Sequence, residues 1–340
     1  MVKILVIAPS WVGDCMLIQP MLARLKQRHP DSRIDLFAPP WTAGLLRQLP
    51  EVAEVITNPF PHGALRLGER FRVGRALRQQ HYDQVIVTPN SFKSALVAFF
   101  ACIPLRTGFV GEMRYGLLND ARKLDKTVLP LMVERFAQLA EAPGDPVSRP
   151  LPQPRLQVQE AQRQAVLERL GLSLDKPLAI FCPGAEYGPA KRWPSQYYAE
   201  LAHRFDQAGY AVWLIGSPKD KDTGEEIAAL SDGACRNLCG ATELAEAGPL
   251  LSCAKVVVSN DSGLMHIAAA LDKPMIALFG SSSPQFTPPL SNRARVLQLD
   301  LDCIPCFKRE CPLGHFNCMM QLTPERVWQE LQTLEDACPT

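Results

Sequence analysis

Two loops in the second half of the chain carry residue types that suit phosphate chemistry. The first loop covers residues 184–194 and reads GAEYGPAKRWP, and the second covers residues 259–266 and reads SNDSGLMH. Each loop precedes a stretch typical of a helix, and the first N–H groups of a helix can bind an anion. Two such loops in one half of the chain predict a nucleotide ligand.

A third loop, in the first half, offers a carboxylate and no cation. It covers residues 9–14 and reads PSWVGD, where Gly13 lets a ligand approach the backbone and Asp14 directly precedes an amphipathic stretch. Asp14 suits two roles, a helix N-cap or a general base that the helix dipole keeps ionised. A base on one side and a stabilised leaving group on the other are typical of a sugar transferase.

The candidate phosphate-binding groups leave alternatives open. Lys191 is either a solvent-exposed lysine or a point charge that neutralises a departing diphosphate, and Arg192 is an equally good cation. Ser262 and His266 lie one helical turn apart, although a lone histidine in a helix also suits a packing role. Asp261 would be repelled by phosphates, so we assign it to sugar hydroxyls or to helix capping. The chain lacks the glycine fingerprint of dehydrogenases and the Walker lysine motif.

Length and composition indicate a soluble globular protein with two domains. The chain has 340 residues, of which 47% are apolar and 21% are charged. It begins directly with a strand pattern, and its longest apolar run, residues 95–105, is shorter than the ~20 residues of a membrane span. We therefore expect a cytoplasmic location and reduced cysteines.

The net charge of +1 hides a basic first half. Residues 1–150 carry 19 Lys/Arg against 13 Asp/Glu, or +6, whereas residues 151–340 carry 17 against 22, or −5. The densest basic stretch holds Arg66, Arg70, Arg72, Arg75 and Arg78. It is either a solvated helix face or a surface for an anionic sugar, a phosphate or membrane headgroups. Nucleic acid is a poor fit because no aromatic stacking series accompanies the arginines.

The pattern along the chain predicts two α/β halves. We expect strands near 3–8, 33–38, 55–57, 84–88 and 106–109 in the first half, and at 178–182, 211–215, 255–259 and 275–279 in the second. The first-half helices are predicted near 16–28, 68–80 and 92–101, and the later ones include 159–170 and 324–335. The proline-rich stretch 142–154 reads as a linker. Two such sheets predict a cleft between their strand ends, and the final helix is a candidate to pack back across the hinge.

Six segments together resemble glycosyltransferase family 9, the ADP-heptose:lipopolysaccharide heptosyltransferases. They are residues 10–14 (SWVGD), 89–95 (PNSFKSA), 106–109 (RTGF), 114–120 (RYGLLND), 182–194 (CPGAEYGPAKRWP) and 260–266 (NDSGLMH). The resemblance extends to about residue 295. It departs from one branch of the family at Glu186 and Tyr187, where that branch has a pair of hydroxyls.

The resemblance implies a GT-B fold, in which two Rossmann-like doubly wound domains face each other across a cleft. Residues 1–155 would bind the acceptor and residues 156–340 would bind ADP-heptose. The implied base is Asp14, with Lys191 acting on the departing diphosphate. The implied site residues are, for the donor, Gly13, Lys191, Asp220 (or Asp222), Asp261, Ser262, Gly263 and His266, and, for the acceptor, Arg66, Asn90, Lys93 and Arg114.

The implied reaction is inverting transfer of heptose from ADP-heptose to the first heptose of the lipopolysaccharide inner core. The acceptor would be heptosyl-Kdo2-lipid A, reached by peripheral association with the inner leaflet of the cytoplasmic membrane. No cofactor is required if protein cations neutralise the diphosphate. The alternatives are a family enzyme that acts at another core step (type I or III) and a non-catalytic nucleotide-sugar-binding protein.

A cysteine-rich segment lies beyond the region of resemblance. Cys303, Cys306, Cys311 and Cys318 fall within sixteen residues, and their spacing suits a tetrahedral zinc site only in part. A structural zinc site, packed or free thiols, and disulfides all stay open. Lys308 and Arg309 of the same segment are candidates to reach the donor or a lipid.

Overall fold

The chain is described by a computed structural model that covers residues 1–61 and 63–336. These residues form two compact units, Met1–Gln153 and a second unit that begins at Pro154. Each unit is built on a six-stranded sheet in which neighbouring strands run parallel. No helix among the described residues is both long enough and apolar enough to cross a membrane.

Strands and helices alternate in the first unit. Its strands are β1 (Lys3–Ile7), β2 (Arg33–Ala38), β3 (Glu54–Thr57), β4 (Gln84–Val87), β5 (Leu105–Phe109) and β6 (Asp120–Arg122). Its helices are α1 (Val12–Leu17), α2 (Gln19–Arg28), α3 (Pro40–Leu46), α4 (Leu67–Arg78), α5 (Phe92–Phe100) and α6 (Met132–Gln138). The strand order is β3-β2-β1-β4-β5-β6, so the direction of strand addition reverses between β1 and β4.

The first unit confirms the five predicted strands and corrects one helix. The single helix predicted over residues 16–28 is two helices, α1 and α2, which meet at Ile18. Pro20 lies in the first turn of α2, where its missing N–H costs nothing but where a continuous helix would need that donor. Strand β6 and helices α3 and α6 were not predicted.

The second unit repeats the arrangement. Its strands are β7 (Leu178–Cys182), β8 (Ala211–Leu214), β9 (Arg236–Asn237), β10 (Val256–Asn260), β11 (Met275–Phe279) and β12 (Ala294–Gln298). Its helices are α7 (Glu160–Leu170), α8 (Ser195–Gln207), α9 (Lys221–Leu230), α10 (Leu244–Ser252), α11 (Gly263–Ala270), α12 (Asn317–Met320) and α13 (Pro324–Asp336). The order β12-β11-β10-β7-β8-β9 reverses between β7 and β10, which is the doubly wound order of the first unit.

The second unit confirms its four predicted strands, and β7 and β11 have the predicted bounds. Both are apolar runs buried along their whole length, as expected of central parallel strands covered on both faces. Pro194 is the N-cap of α8. The final helix α13, a candidate to cross the hinge, packs against α8, β11 and β12 of its own unit.

Candidate functional site

The segments that directly follow the strands at the two switch points hold several of the predicted site residues. In the first unit, Asp14 follows β1, and Asn90 and Lys93 follow β4. In the second unit, Lys191 follows β7 and Asp261 follows β10. The carboxyl ends of strands beside a switch point are where open α/β sheets bind ligands. The doubly wound fold therefore brings the sequence-distant candidates of each unit to one edge of its sheet.

The switch point of the first unit opens into a cavity of about 560 Å³. Asp14 lies in its wall together with the predicted acceptor residues Asn90 and Lys93. Further wall residues, which the sequence did not single out for this role, are the cationic Arg70, Lys126 and Arg135 and the aromatic Trp11, Trp41, Phe60 and Phe136. A carboxylate, cations and aromatic faces in one pocket suit an acidic sugar ligand.

Asp14 is the third residue of α1, and Trp11 is the N-cap of that helix. The N-cap interpretation of Asp14 is therefore wrong, and Gly13 lies in the same first turn. The Asp14 carboxylate has no hydrogen bond or ion pair with any residue that the structure describes. Burial raises the pKa of its carboxyl from the usual 3.8 to about 6. A partly buried carboxyl with a pKa near neutrality is suited to accept a proton.

Arg114 donates hydrogen bonds to two residues of the cavity wall, Pro89 and Asn90. Its side chain is buried, and its guanidinium donates hydrogen bonds to the carbonyls of Pro89 (2.6 Å) and Phe109 and to Oδ1 of Asn90 (3.2 Å). Burial lowers the pKa of this guanidinium to about 10. Arg114 does not line the cavity. Where an acceptor contact was expected, its two Nη atoms bind the loop after β4 and the end of β5, so Arg114 holds Asn90, which itself lines the cavity.

Arg66 also lies away from the cavity wall. It is the N-cap of α4, and its guanidinium pairs with Glu69 at 2.8 Å on the surface. Arg70, from the same basic stretch, points the other way: it is buried, its guanidinium carbon lies 4.1 Å from the centre of the Phe60 ring, and it donates to the carbonyls of Ala64, Leu65 and Lys93. Of the five arginines in the basic stretch, Arg70 is therefore buried and does not belong to the basic surface.

At the switch point of the second unit, Lys191 faces Asp261. The Lys191 ammonium forms an ion pair with Oδ2 of Asp261, and the Ser282 hydroxyl donates to the same oxygen. Both charged side chains are largely buried, with 15% and 5% of their surface exposed. Asp261 does not cap α11, because the N-cap is Ser262. The structure thus shows Lys191 as a partner of Asp261, which the sequence analysis did not predict. The positive charge of Lys191 offsets the repulsion between the Asp261 carboxylate and a bound anion.

Asn260 joins the two loops of this switch point, and the sequence analysis missed it. Its Oδ1 accepts hydrogen bonds from the Trp193 backbone N–H (3.2 Å) and the Tyr198 hydroxyl (3.0 Å). Its Nδ2 donates to the Pro183 carbonyl at 2.6 Å. Asn260 is fully buried at the end of β10, so its amide sets the spacing between the Lys191 loop and the start of α11.

The remaining donor candidates surround this pair. Ser262 and Gly263 begin α11, where the first N–H groups lack helical partners. His266 is buried one turn further on, and burial lowers the pKa of its imidazole to about 4. Its ring is therefore neutral at pH 7. It can act as a hydrogen-bonding group in the site without adding charge.

Asp220 closes a short turn after β8. Its Oδ2 accepts hydrogen bonds from the backbone N–H (2.9 Å) and hydroxyl (2.7 Å) of Ser217, and its Oδ1 lies 3.8 Å from the Arg192 guanidinium. A Cβ at Gly184 would lie 2.4 Å from the same carboxylate, so only glycine fits there. Asp220 thus contacts the Lys191 loop, whereas Asp222 lies in the first turn of α9.

The four cysteines of the cysteine-rich segment are not grouped as metal ligands in the structure. No group of three or more His, Cys, Asp or Glu side chains is arranged to hold a metal ion anywhere in residues 1–61 and 63–336. The zinc alternative is therefore not supported. Cys303, Cys306, Cys311 and Cys318 are free thiols. Hydrogen bonds from backbone N–H groups lower the pKa of the Cys311 thiol, and the N–H of Phe316 makes the largest contribution.

Two doubly wound α/β units are the architecture of GT-B glycosyltransferases, and the matches to known proteins assign the chain to that class. The sequence model of glycosyltransferase family 9 (heptosyltransferase) matches residues 70–317 of this chain. The chain belongs to this family.

Full-length relatives agree with this assignment. The chain is 51% identical over 341 residues to lipopolysaccharide heptosyltransferase 2 of Salmonella typhimurium, with 98% of each chain covered. It is 50% identical, at the same coverage, to lipopolysaccharide heptosyltransferase 2 of Escherichia coli. The solved structure of the E. coli ADP-heptose LPS heptosyltransferase II matches with a TM-score of 0.88 and 48% identity, covering 98% of both chains.

Proposed function

We propose that this chain transfers heptose from ADP-heptose to the first heptose of the lipopolysaccharide inner core, with inversion at the anomeric carbon. The single observation that carries the mechanism is the Asp14 carboxyl, which lies in the first-unit cavity with a pKa raised to about 6. The two relatives that are named lipopolysaccharide heptosyltransferase 2, each covered over 98% of its length, support the choice of donor and acceptor.

In the proposed step, Asp14 accepts the proton of the attacking heptose hydroxyl. The hydroxyl oxygen forms the new bond to the anomeric carbon, the bond from that carbon to the ADP oxygen breaks, and ADP leaves with the electron pair. Attack from the face opposite the leaving group inverts the anomeric centre, as in inverting glycosidases. Because Asp14 must be ionised to accept the proton, kcat/KM should rise with pH through about 6.

We assign the donor to the second unit. Lys191 and the N–H groups at the start of α11 stabilise the charge that develops on ADP, because a cation and a helix N-terminus both favour an anion. Ser262 and the neutral His266 hydrogen-bond the donor, Asp261 holds the Lys191 ammonium in place, and Asp220 binds ribose hydroxyls.

We assign the acceptor to the cavity of the first unit. Lys93 and Lys126 offer cations to the carboxylates of Kdo sugars or to phosphates, and Asn90 offers an amide to sugar hydroxyls. Trp11 and Trp41, each about half exposed, offer flat faces for sugar rings. A lipid-linked acceptor brings the protein to an anionic membrane surface.

We propose that α4 makes this peripheral contact, at the inner leaflet and from the cytoplasm. Leu67 and Phe71 are about half exposed on this helix, beside the exposed Arg72 and Arg75. Apolar side chains next to arginines suit a surface of anionic lipid. Co-sedimentation with vesicles that contain anionic lipid should weaken when both arginines are changed to Ala, and it should stay unchanged when the partly exposed Arg163 of α7 is changed to Ala. Equal sedimentation of all variants would refute the contact.

The proposed reaction is tested with a series of defined acceptors. ADP-heptose is offered with Kdo2-lipid A that bears zero, one or two heptoses, and the products are weighed by mass spectrometry. The proposal predicts extension of the one-heptose acceptor. Extension of only the zero- or two-heptose acceptor would assign the chain to another core step, and ADP binding without any product would indicate a non-catalytic protein.

A further inference from the structure

Three cations near the donor loop of the second unit already face carboxylates. The pairs are Lys191 with Asp261, Arg192 with Asp220 at 3.8 Å, and Lys219 with Glu186. Each pair is close to neutral as a whole. A diphosphate that arrives at this loop therefore meets little uncompensated positive charge from these three side chains.

Arg309 is a cation beside the same loop without such a partner. Its guanidinium has no ion pair with any carboxylate in the part of the chain that the structure describes. Its guanidinium carbon lies 5.4 Å from the centre of the Tyr187 ring, and the Lys191 ammonium lies 5.0 Å from that centre. Both cations thus lie against the same aromatic ring, whose π-face attracts positive charge.

The backbone around Arg309 is fixed to the loop that carries Lys191. The Arg309 carbonyl accepts a hydrogen bond from the Ala190 N–H at 3.0 Å. A Cβ on Gly188 would lie 2.4 Å from this carbonyl oxygen, so the close approach requires glycine. The Tyr187 hydroxyl donates to the Phe307 carbonyl at 2.7 Å. Arg309 therefore keeps a set position relative to Lys191, while its exposed guanidinium stays accessible.

We propose that Arg309 is a second phosphate-binding cation of the donor site, presented by the cysteine-rich segment and set beside Lys191 by Tyr187. The inference rests on the proposed function, because it takes a nucleoside diphosphate sugar as the donor. A guanidinium binds two phosphate oxygens at once, which a lysine ammonium does not do in a fixed geometry. Arg309 therefore supplies the positive charge that the pairing of Lys191 with Asp261 removes.

The test measures the affinity of the purified full chain for ADP and adenosine by calorimetry. Arg309→Ala should weaken ADP binding by about tenfold or more, the effect of losing a charge-assisted hydrogen bond. Adenosine binding should stay unchanged, because adenosine has no phosphate. Arg309→Lys should fall between the wild type and Arg309→Ala. The matched control is Lys308→Ala, which removes one positive charge from the neighbouring exposed position and should change ADP binding by less than about twofold.

Each other outcome is decisive. Equal ADP affinity for Arg309→Ala and the wild type would overturn the proposal, and so would equal losses in Arg309→Ala and Lys308→Ala, which would indicate only long-range charge. A parallel loss of adenosine affinity would also overturn the proposal, because the lost contact would then not be one with phosphate. A wild-type chain that binds neither ADP nor ADP-heptose would refute the proposed donor itself, which is a distinct result.

Discussion

Replacing Asp14 with Asn should separate catalysis from stability. Asn keeps the size of the side chain in the first turn of α1 but cannot accept the proton of the acceptor. Turnover should fall by about 10²–10⁴, the usual contribution of a general base. ADP affinity should change little, because the donor candidates other than Gly13 lie in the other unit. Near-normal turnover would exclude Asp14 as the base.

The same substitution should stabilise the protein above pH 6. Burial raises the pKa of Asp14 from 3.8 to about 6, so the folded state binds this proton more tightly than the unfolded state. The ionised carboxylate therefore lowers the free energy of unfolding by about 3 kcal/mol at pH 8, at ~1.4 kcal/mol per pKa unit. This penalty shrinks as the pH falls below 6 and is absent below about 3.8.

Urea denaturation of the wild type and Asp14→Asn at pH 8, 6 and 4 measures this difference. We expect the gain in the variant to be largest at pH 8 and to fall toward zero at pH 4. The control is Asp31→Asn, on the exposed loop between α2 and β2, which should change neither turnover nor stability at any pH. A gain that does not depend on pH would refute the assignment of the effect to the buried charge.

Three further variants test the surroundings. Lys191→Ala should weaken ADP binding and turnover more than Arg192→Ala does, because Lys191 lies beside Asp261 at the start of α11, whereas Arg192 faces Asp220 in the turn after β8; calorimetry showing the reverse order would identify the other cation. Arg114→Ala should cost about 2–5 kcal/mol in urea denaturation, because it leaves buried carbonyls unpaired, whereas Lys93→Ala should raise the acceptor KM at unchanged stability. His266→Gln should remove a loss of stability that the wild type shows as the pH falls from 6.5 to 4, since protonation of this buried ring opposes folding; an unchanged pH profile would contradict this account.

The central strands were predictable because their signal is local. Strands β7 and β11 are unbroken apolar runs, and a run of that length between turn residues suffices to place a buried parallel strand. Strands β6 and β9 have three and two residues, too few for any period to appear. The break between α1 and α2 was marked by Pro20, although the amphipathic pattern on both sides of it favoured one helix.

The candidate site was predictable in its residue types and less so in its contacts. The sequence identified Asp14, Lys191 and the start of α11, because loop, charge and following helix are adjacent in the chain. The sequence could not show that the Arg114 guanidinium donates hydrogen bonds to backbone carbonyls, or that Asn260 joins two loops from the end of β10. Those roles depend on which distant backbone groups the fold brings to a side chain.

The central claim, that Asp14 is the base for an acceptor bound in the first-unit cavity, is tested most directly by a crystal structure of the ternary complex. The chain is crystallised with heptosyl-Kdo2-lipid A headgroup and a non-transferable analogue of ADP-heptose. We expect the attacking hydroxyl to lie about 2.6–3.2 Å from an Asp14 carboxylate oxygen, in line with the anomeric carbon. An attacking hydroxyl that contacts another carboxylate, or an acceptor bound outside the cavity, would contradict the central claim.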